Sequence, residues 1–176
     1  WGAFHKHKSE LCSKHYRLKD RVRLFEAMVS TTVLYGCCAW ALTRKMEQTL
    51  VTERRRMLRY VFRCHRQASE TWVEYMKRSA DRIDTISAQH SLQTWTTMYR
   101  QTKWRFAGTT ARRTDGRWSA IILGWKPDPK HVRDQGRPFT RWSDDIVALA
   151  GESWQEIACD ANLWASLERG YVERVF

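Results

Sequence analysis

Five arginines lie close together in the first half of the chain, at a spacing that could serve phosphate binding. They are Arg54, Arg55, Arg56, Arg59 and Arg63. The apolar residues around them recur at helical spacing, and we interpret the arginines as lying largely off that apolar stripe and projecting together. Guanidinium groups are planar and make bidentate contacts with phosphate. The pattern predicts a helix that binds nucleic acid.

A second basic segment spans residues 125–141 and contains all three prolines of the chain together with Gly136. Proline and glycine at this density exclude a continuous helix. The cations of this loop are Lys126, Lys130, Arg133, Arg137 and Arg141. Three aromatic residues, Trp125, Phe139 and Trp142, are interleaved with them and could stack on bases. We predict a second nucleic-acid contact in this loop.

The adjacent carboxylates Asp144 and Asp145 are the one pattern that suggests metal-dependent catalysis, because polymerases hold Mg²⁺ between neighbouring carboxylates. The pair leads into an apolar run at 146–149 that favours a helix. We therefore interpret both as first-turn residues favoured by the helix dipole. Changing either to Asn is expected to cost about 1 kcal/mol or less. No catalytic residue is assigned.

The cysteines and histidines do not form the paired, closely spaced set that a structural zinc site needs. No glycine-rich phosphate loop is present either. The sequence therefore predicts no metal site and no cofactor. The number of cysteines is odd, and Cys37 and Cys38 are adjacent, which does not favour a disulfide framework. A reducing compartment, the nucleus or the cytoplasm, is expected.

Composition limits the fold and the partner. The chain has 31 Lys+Arg against 19 Asp+Glu, a net charge of +12, and such an excess favours a polyanionic partner. Only 8 Gly and 3 Pro are present, too few for the turns of a sandwich or barrel, so an all-α fold is predicted. No apolar run approaches the roughly 18 residues of a membrane span, and no membrane association is expected.

Periodicity indicates where the helices lie. Leu18, Val22, Phe25 and Val29 predict a first amphipathic helix, and Thr43 is interpreted as the cap of a second helix. Further helices are predicted from a cap at Ser69, over about 83–106, over 142–150, from a capping box at Ser153 and from about residue 162. The tryptophans within these patterns are interpreted as core residues. They are Trp40, Trp72, Trp95, Trp104, Trp118, Trp154 and Trp164.

Three stretches resemble the reverse transcriptases of non-LTR retrotransposons, that is, LINE-type elements. Leu34-Tyr35-Gly36, followed by Trp40, Leu42 and Thr43 and then by Arg56 and Arg59, is similar to the stretch after the palm in those proteins. The run from Gly136 to Ile146 is similar to a motif near their C-terminus. The last stretch resembles their closing helix pair through Trp154, Ala158, Asp160 and Trp164.

The resemblance implies a thumb-like helical bundle over residues 1–66 and a C-terminal helical extension over 67–176 that holds the basic Pro/Gly loop. In this family the thumb grips template and primer. Arg56 and Arg59 fall on the thumb helix, whereas Asp144 and Asp145 fall in the C-terminal motif and not in the polymerase dyad. One departure is Thr109, which stands where the family has a histidine in the element at 108–112.

The expected function is nucleic-acid binding within an RNA-directed DNA polymerase. The expected partners are an RNA template or RNA/DNA hybrid and the palm and fingers of the parent polymerase, and no oligomeric state is predicted. Without a palm to hold metal ions, the chain alone is expected to be inactive. Two alternatives are a host nucleic-acid-binding protein derived from such an element and a decayed copy without function. An intact palm in the upstream reading frame would separate the three.

Overall fold

A computed structural model describes residues 1–125 and 140–174, and this part of the chain contains helices and no strand. The prediction of an all-α fold is confirmed. The helices are α1 (Gly2–Lys6), α2 (Lys8–Leu11), α3 (Leu18–Leu24), a π-helical turn (Phe25–Ser30), α4 (Thr31–Val33), a 3₁₀ turn (Cys37–Ala39), α5 (Arg44–Val61), α6 (Trp72–Gln89), α7 (Trp95–Ala111), α8 (Trp118–Gly124), α9 (Asp144–Ala150), α10 (Trp154–Cys159) and α11 (Ala161–Glu173).

The chain divides into two compact units. Unit 1 comprises residues 1–35 and 45–98, and unit 2 comprises 36–44 and 99–176. This division does not coincide with the predicted boundary at residue 66. Ile83 and Ile86 of α6 and Trp95 of α7 are buried in the same core as Leu58, which places α6 in unit 1. The assignment of 1–66 to a thumb and of 67–176 to an extension stays a prediction.

The core of unit 1 forms around the helical stretch at 18–33. Val22, Phe25 and Val29 are buried there, as their spacing predicted. The π-helical turn places Ser30 in the core as well, where its hydroxyl accepts a 2.7 Å hydrogen bond from the indole of Trp95. The Phe25 ring lies nearly parallel to that indole, with the centroids 6.2 Å apart. Unit 1 therefore buries Trp95 with its one polar atom satisfied.

Several helix boundaries differ from the sequence predictions. α5 begins at Arg44, directly after Thr43 as expected, but α6 is capped by Thr71 in a capping box with Glu74 and not by Ser69. α6 ends at Gln89, so the helix predicted over 83–106 is wrong. Ser153 makes no side-chain cap hydrogen bond. At the start of α6, the side chains of Thr71 and Glu74 each accept a hydrogen bond from the other's backbone N–H. This reciprocal capping is more favourable than a cap by Ser69 alone.

Stacked tryptophans form the core of unit 2. Trp104 and Trp164 lie parallel with their ring centroids 3.8 Å apart. Each indole N–H donates to the other residue's carbonyl oxygen at 3.0 Å. The core prediction for tryptophans is wrong for Trp72 and Trp118, which are 61% and 77% exposed. Trp72 is the first residue of α6 and Trp118 the first residue of α8, but this position alone does not explain their exposure, because Trp95 and Trp154 also begin helices and are buried.

Candidate nucleic-acid interface

Arg54 does not belong to the exposed basic surface, contrary to the sequence prediction. Its side chain is 6% exposed and pairs with Glu26 at 3.0 Å. Arg54 lies three, four and seven residues before Met57, Leu58 and Val61, and so falls on the buried stripe of α5. Burial lowers the pKa of Arg54, and the neighbouring Glu26 carboxylate opposes that shift. Arg54 therefore joins α5 to the helix at 18–33 and cannot contact a phosphate.

The other arginines of α5 lie on two different faces of the helix. Arg55 bonds Asp84 of α6 at 3.0 and 3.2 Å, and Arg59 follows it one turn later on the same face. Arg56 lies beside α1, where it pairs with Glu53 at 2.7 Å and lies over the ring of Trp1 at 5.6 Å. The predicted single cluster is thus divided, and three of its five members, Arg54, Arg55 and Arg56, already pair with carboxylates.

Arg63 occupies an unusual position just beyond α5. Its φ of 55° lies in the left-handed region, which favours glycine. The backbone N–H of Cys64 donates to the carbonyl of Arg59 at 2.8 Å, and that of Arg63 donates to Tyr60 at 3.0 Å. These two bonds form the Schellman motif that commonly ends a helix, with arginine at the glycine position. The left-handed backbone conformation of the exposed Arg63 therefore costs about 1 kcal/mol relative to glycine at this position.

A basic groove on the surface of unit 1 brings Arg63 together with residues distant in sequence. Its cations come from α2, from the following loop and from the end of α5. The groove is lined by Lys8, Ser9, Cys12, Ser13, Lys14, His15 and Arg63. No carboxylate lines it. Within the described residues, no ion pair occupies Lys8, Lys14, His15 or Arg63, so these four side chains are available for an anionic ligand.

The walls of the groove are fixed by the core beneath them. Arg21 of α3 is buried and donates to the carbonyls of Leu11 at 3.4 Å and Val61 at 2.5 Å, which ties the end of α2 to the end of α5. The hydroxyl of Ser13 accepts a 3.1 Å hydrogen bond from the backbone N–H of His15 and shapes the loop between them. These hydrogen bonds hold the segments that line the groove next to one another.

The electrostatic field of the groove is positive. Burial raises the pKa of the Cys12 thiol, and the positive charges of Lys8, Arg21 and Arg63 oppose that shift. The acidic residue nearest in sequence, Glu10, lines a separate depression. Unit 1 as a whole carries 17 Lys+Arg and 9 Asp+Glu, a net charge of +8. This arrangement can hold phosphate groups without reading bases.

Sequence reasoning missed most of the groove. Lys8, Lys14 and His15 were not among the predicted site residues, because they are not clustered with the arginines of α5 along the chain. The available signal was the charge of the first 63 residues, which hold 14 basic and 5 acidic side chains, a net charge of +9. The net charge of a sequence segment indicates that a basic surface exists. It does not indicate which of the basic side chains lie close together in the folded chain.

The predicted basic loop falls almost entirely outside the described residues. Lys126, Lys130, Arg133 and Arg137 lie there, and their role stays a prediction. Arg141 is described and exposed, and its backbone N–H donates to Asp144 at 2.7 Å. Its guanidinium group makes no ion pair with a described carboxylate, so Arg141 also stays a candidate contact.

Asp145 has a role that the sequence did not reveal. Both of its oxygens accept hydrogen bonds from Lys103 at 2.8 and 2.9 Å, and the hydroxyl of Tyr171 donates to one of them at 2.7 Å. The Lys103 side chain is only 1% exposed and lies 5.2 Å from the ring centre of Trp142. Burial and the charge of Asp145 raise the pKa of Tyr171. Asp145 neutralises a buried lysine, and interpreting it as a first-turn residue alone is wrong.

A search of the described residues finds no group of three or more Cys, His, Asp and Glu side chains that could hold a metal ion. All five cysteines are free thiols. No described helix is both long and apolar enough to cross a membrane. Among the described residues, the candidate site therefore consists of the basic groove, with Arg141 as a separate candidate contact.

Comparison with known proteins gives one informative similarity. The chain is 28% identical over 182 aligned residues to an uncharacterised transposon-derived protein of Caenorhabditis elegans. The match covers 96% of this chain and spans 61% of the length of that relative. No protein family and no solved structure matches the chain. The similarity indicates a transposable element as the origin of the sequence.

Proposed function

We propose that the chain is the nucleic-acid-gripping C-terminal part of a reverse transcriptase from a non-LTR retrotransposon. In this proposal unit 1 holds an RNA template or an RNA/DNA hybrid through phosphate contacts that do not read sequence. The observation that carries it is the convergence of Lys8, Lys14, His15 and Arg63 in one groove that no carboxylate lines. The transposon-derived relative supports the same origin.

The proposal assigns no catalysis to this chain. Asp145 is held by Lys103 and Tyr171, and Asp144 accepts a hydrogen bond from the backbone of Arg141, so both carboxylates already serve the fold. Polymerisation would come from the palm and fingers of the parent polymerase. The loop cations Lys126, Lys130, Arg133 and Arg137, with Arg141, are proposed as a second set of phosphate contacts.

Removing the three fixed charges of the groove is expected to reduce the salt dependence of binding. The test variant combines Lys8→Gln, Lys14→Gln and Arg63→Gly. All three residues are exposed, and glycine suits the φ of 55° at position 63, so folding is expected to be retained or slightly improved. Each phosphate contact contributes roughly 0.7–0.9 to the slope of log K against log salt. The slope for a mixed-sequence RNA/DNA hybrid is expected to fall by up to about two to three.

A matched control removes the same net charge elsewhere. Arg105, Arg117 and Arg169 of unit 2 are exposed and already paired with Glu168, Asp115 and Glu173. Changing all three to Gln lowers the net charge equally but leaves the groove intact. The control is expected to keep nearly the whole slope of the unmodified chain. Equal slopes for the two triple variants would show that only the overall charge matters and would refute the groove as the site.

A further inference from the structure

An exposed aromatic ring borders the basic groove. Tyr60 of α5 is 50% exposed, and the Lys8 ammonium group that lines the groove lies 6.0 Å from the centre of its ring. The edge of Trp1, itself 40% exposed, meets Tyr60 with the ring planes at 85° and the centroids 6.2 Å apart. Cations and an open aromatic surface thus lie side by side in unit 1.

The local packing leaves the ring of Tyr60 open to a ligand. Its contacts with Trp1 and Phe4 are edge-on or tilted, at ring-plane angles of 85° and 55°, and not parallel stacks. Glu53, which bonds Trp1 beside this ring, is already paired, because its two oxygens accept hydrogen bonds from the indole of Trp1 and the guanidinium of Arg56 at 2.7 Å each. The positive charge of Arg56 therefore offsets the repulsion between Glu53 and a phosphate in the groove.

We propose that this surface binds an unpaired nucleic-acid strand, with a phosphate in the groove and an adjacent base stacked on Tyr60. The inference rests on the proposed function and narrows its ligand. Duplex phosphates could reach the groove, but paired bases are stacked inside the helix and cannot cover an exposed ring. Single strands offer both groups at once, and aromatic stacking beside a cationic track is the usual way in which proteins hold them without sequence preference.

The competing explanation is that Tyr60 serves only the packing of α1 against α5, since it also contacts Phe4 and Trp1. In that case its ring would matter equally for every ligand, through folding. The two explanations differ in the ratio of the single-strand affinity to the duplex affinity of a Tyr60 variant. A stacking role predicts that this ratio falls, whereas a packing role leaves it unchanged.

The test measures binding of the full chain to a labelled 12-nucleotide mixed-sequence single strand and to the duplex of the same sequence. Tyr60→Leu removes the ring and keeps helix propensity, whereas Tyr60→Phe keeps the ring. Loss of one stacked base corresponds to about a tenfold drop in affinity. We expect that drop for Tyr60→Leu with the single strand, a change of less than about twofold with the duplex, and near-normal binding for Tyr60→Phe. Lys8→Gln is expected to weaken both ligands.

A second measurement covers the case in which Tyr60→Leu does not fold. A single strand carrying 5-bromouridine, irradiated with the unmodified chain, is expected to cross-link to the peptide that contains Tyr60. Equal losses for single strand and duplex, an unchanged single-strand affinity in Tyr60→Leu, or a cross-link confined to other peptides would overturn the inference. If Lys8→Gln weakens binding while Tyr60→Leu does not, the inference fails and the proposed function stands. If the unmodified chain binds neither ligand, both fail.

Discussion

Changing Asp145 to Asn is expected to destabilise the protein by about 3–5 kcal/mol, although asparagine has nearly the same shape. The substitution removes the negative charge that accepts two hydrogen bonds from the Lys103 ammonium group, which is 1% exposed. Removing one partner of a buried ion pair costs far more than the pair contributes, because the remaining charge stays desolvated. Urea unfolding followed by circular dichroism gives the free energy of unfolding directly.

The adjacent carboxylate provides the matched control. Asp144 is exposed, and its one described hydrogen bond is to the backbone N–H of Arg141 at 2.7 Å. Asp144→Asn is therefore expected to cost about 1 kcal/mol or less. In a double-mutant cycle, Lys103→Met is expected to recover part of the stability lost in Asp145→Asn, since it removes the buried positive charge that Asp145 faces. Equal costs for the two Asn variants would show that Asp145 has no special role.

Changing Gly108 to Ala is expected to destabilise unit 2 by about 2–4 kcal/mol, because no space exists for a methyl group. A Cβ at Gly108 would lie 2.5 Å from Cδ1 of Trp164 and closer still to its Nε1. Trp164 would have to move away from Trp104, which would break the 3.8 Å ring stack and the two reciprocal 3.0 Å hydrogen bonds. Loss of the tryptophan near-ultraviolet circular dichroism would accompany the lower unfolding free energy.

Gly170 of α11 serves as the control for the effect of glycine itself. The nearest atom to a Cβ there is Cδ1 of Leu149 at 4.0 Å, an ordinary contact distance. Gly170→Ala is therefore expected to stabilise the protein by about 0.5–1 kcal/mol through helix propensity. Two substitutions of the same type, in two helices of one unit, are thus expected to have opposite signs. A gain of stability in Gly108→Ala would contradict the packing described for Trp164, and a loss in Gly170→Ala would contradict the open space described at position 170.

Helix periodicity predicted the helices correctly where the apolar spacing was regular. It failed for Arg54, which we assigned to the exposed face of its helix. The stretch at 18–33 and the start of α5 were predicted correctly from apolar spacing and from Thr43. Arg54 was assigned to the surface because of its residue type, although its spacing to Met57, Leu58 and Val61 places it on the buried stripe. Its burial also needs Glu26, a partner 28 residues away that local pattern cannot supply.

The candidate site could be predicted only in part, because its cations come from separate segments of the chain. The sequence indicated a basic region and included Arg63, one of the residues that line the groove. Residue spacing did not indicate that the end of α5 lies beside α2 and the loop after it. That contact depends on Arg21, which donates hydrogen bonds to the carbonyls of Leu11 and Val61. Long-range contacts of this kind leave no local trace in residue spacing.

Several of the residues that carry the resemblance make structural contacts in unit 2. Trp142 donates to the carbonyl of Cys38 at 2.7 Å, and Arg112 donates to that of Ala158 at 2.6 Å. Asp160 caps α11 by accepting from two backbone N–H groups. Thr109, which departs from the family pattern, is exposed and makes no described side-chain hydrogen bond. These motif residues thus join the elements of one core.

The most direct test of the basic groove as the interface is a lysine footprint. The full chain is acetylated briefly with and without a saturating mixed-sequence RNA/DNA hybrid, and each lysine is quantified by mass spectrometry. Lys8 and Lys14, both exposed in the groove, are expected to be protected by the hybrid, whereas the exposed Lys77 of α6 is expected to react equally in both samples. Equal labelling of Lys8 and Lys14 with and without bound hybrid would contradict the proposal that unit 1 grips nucleic acid through this groove.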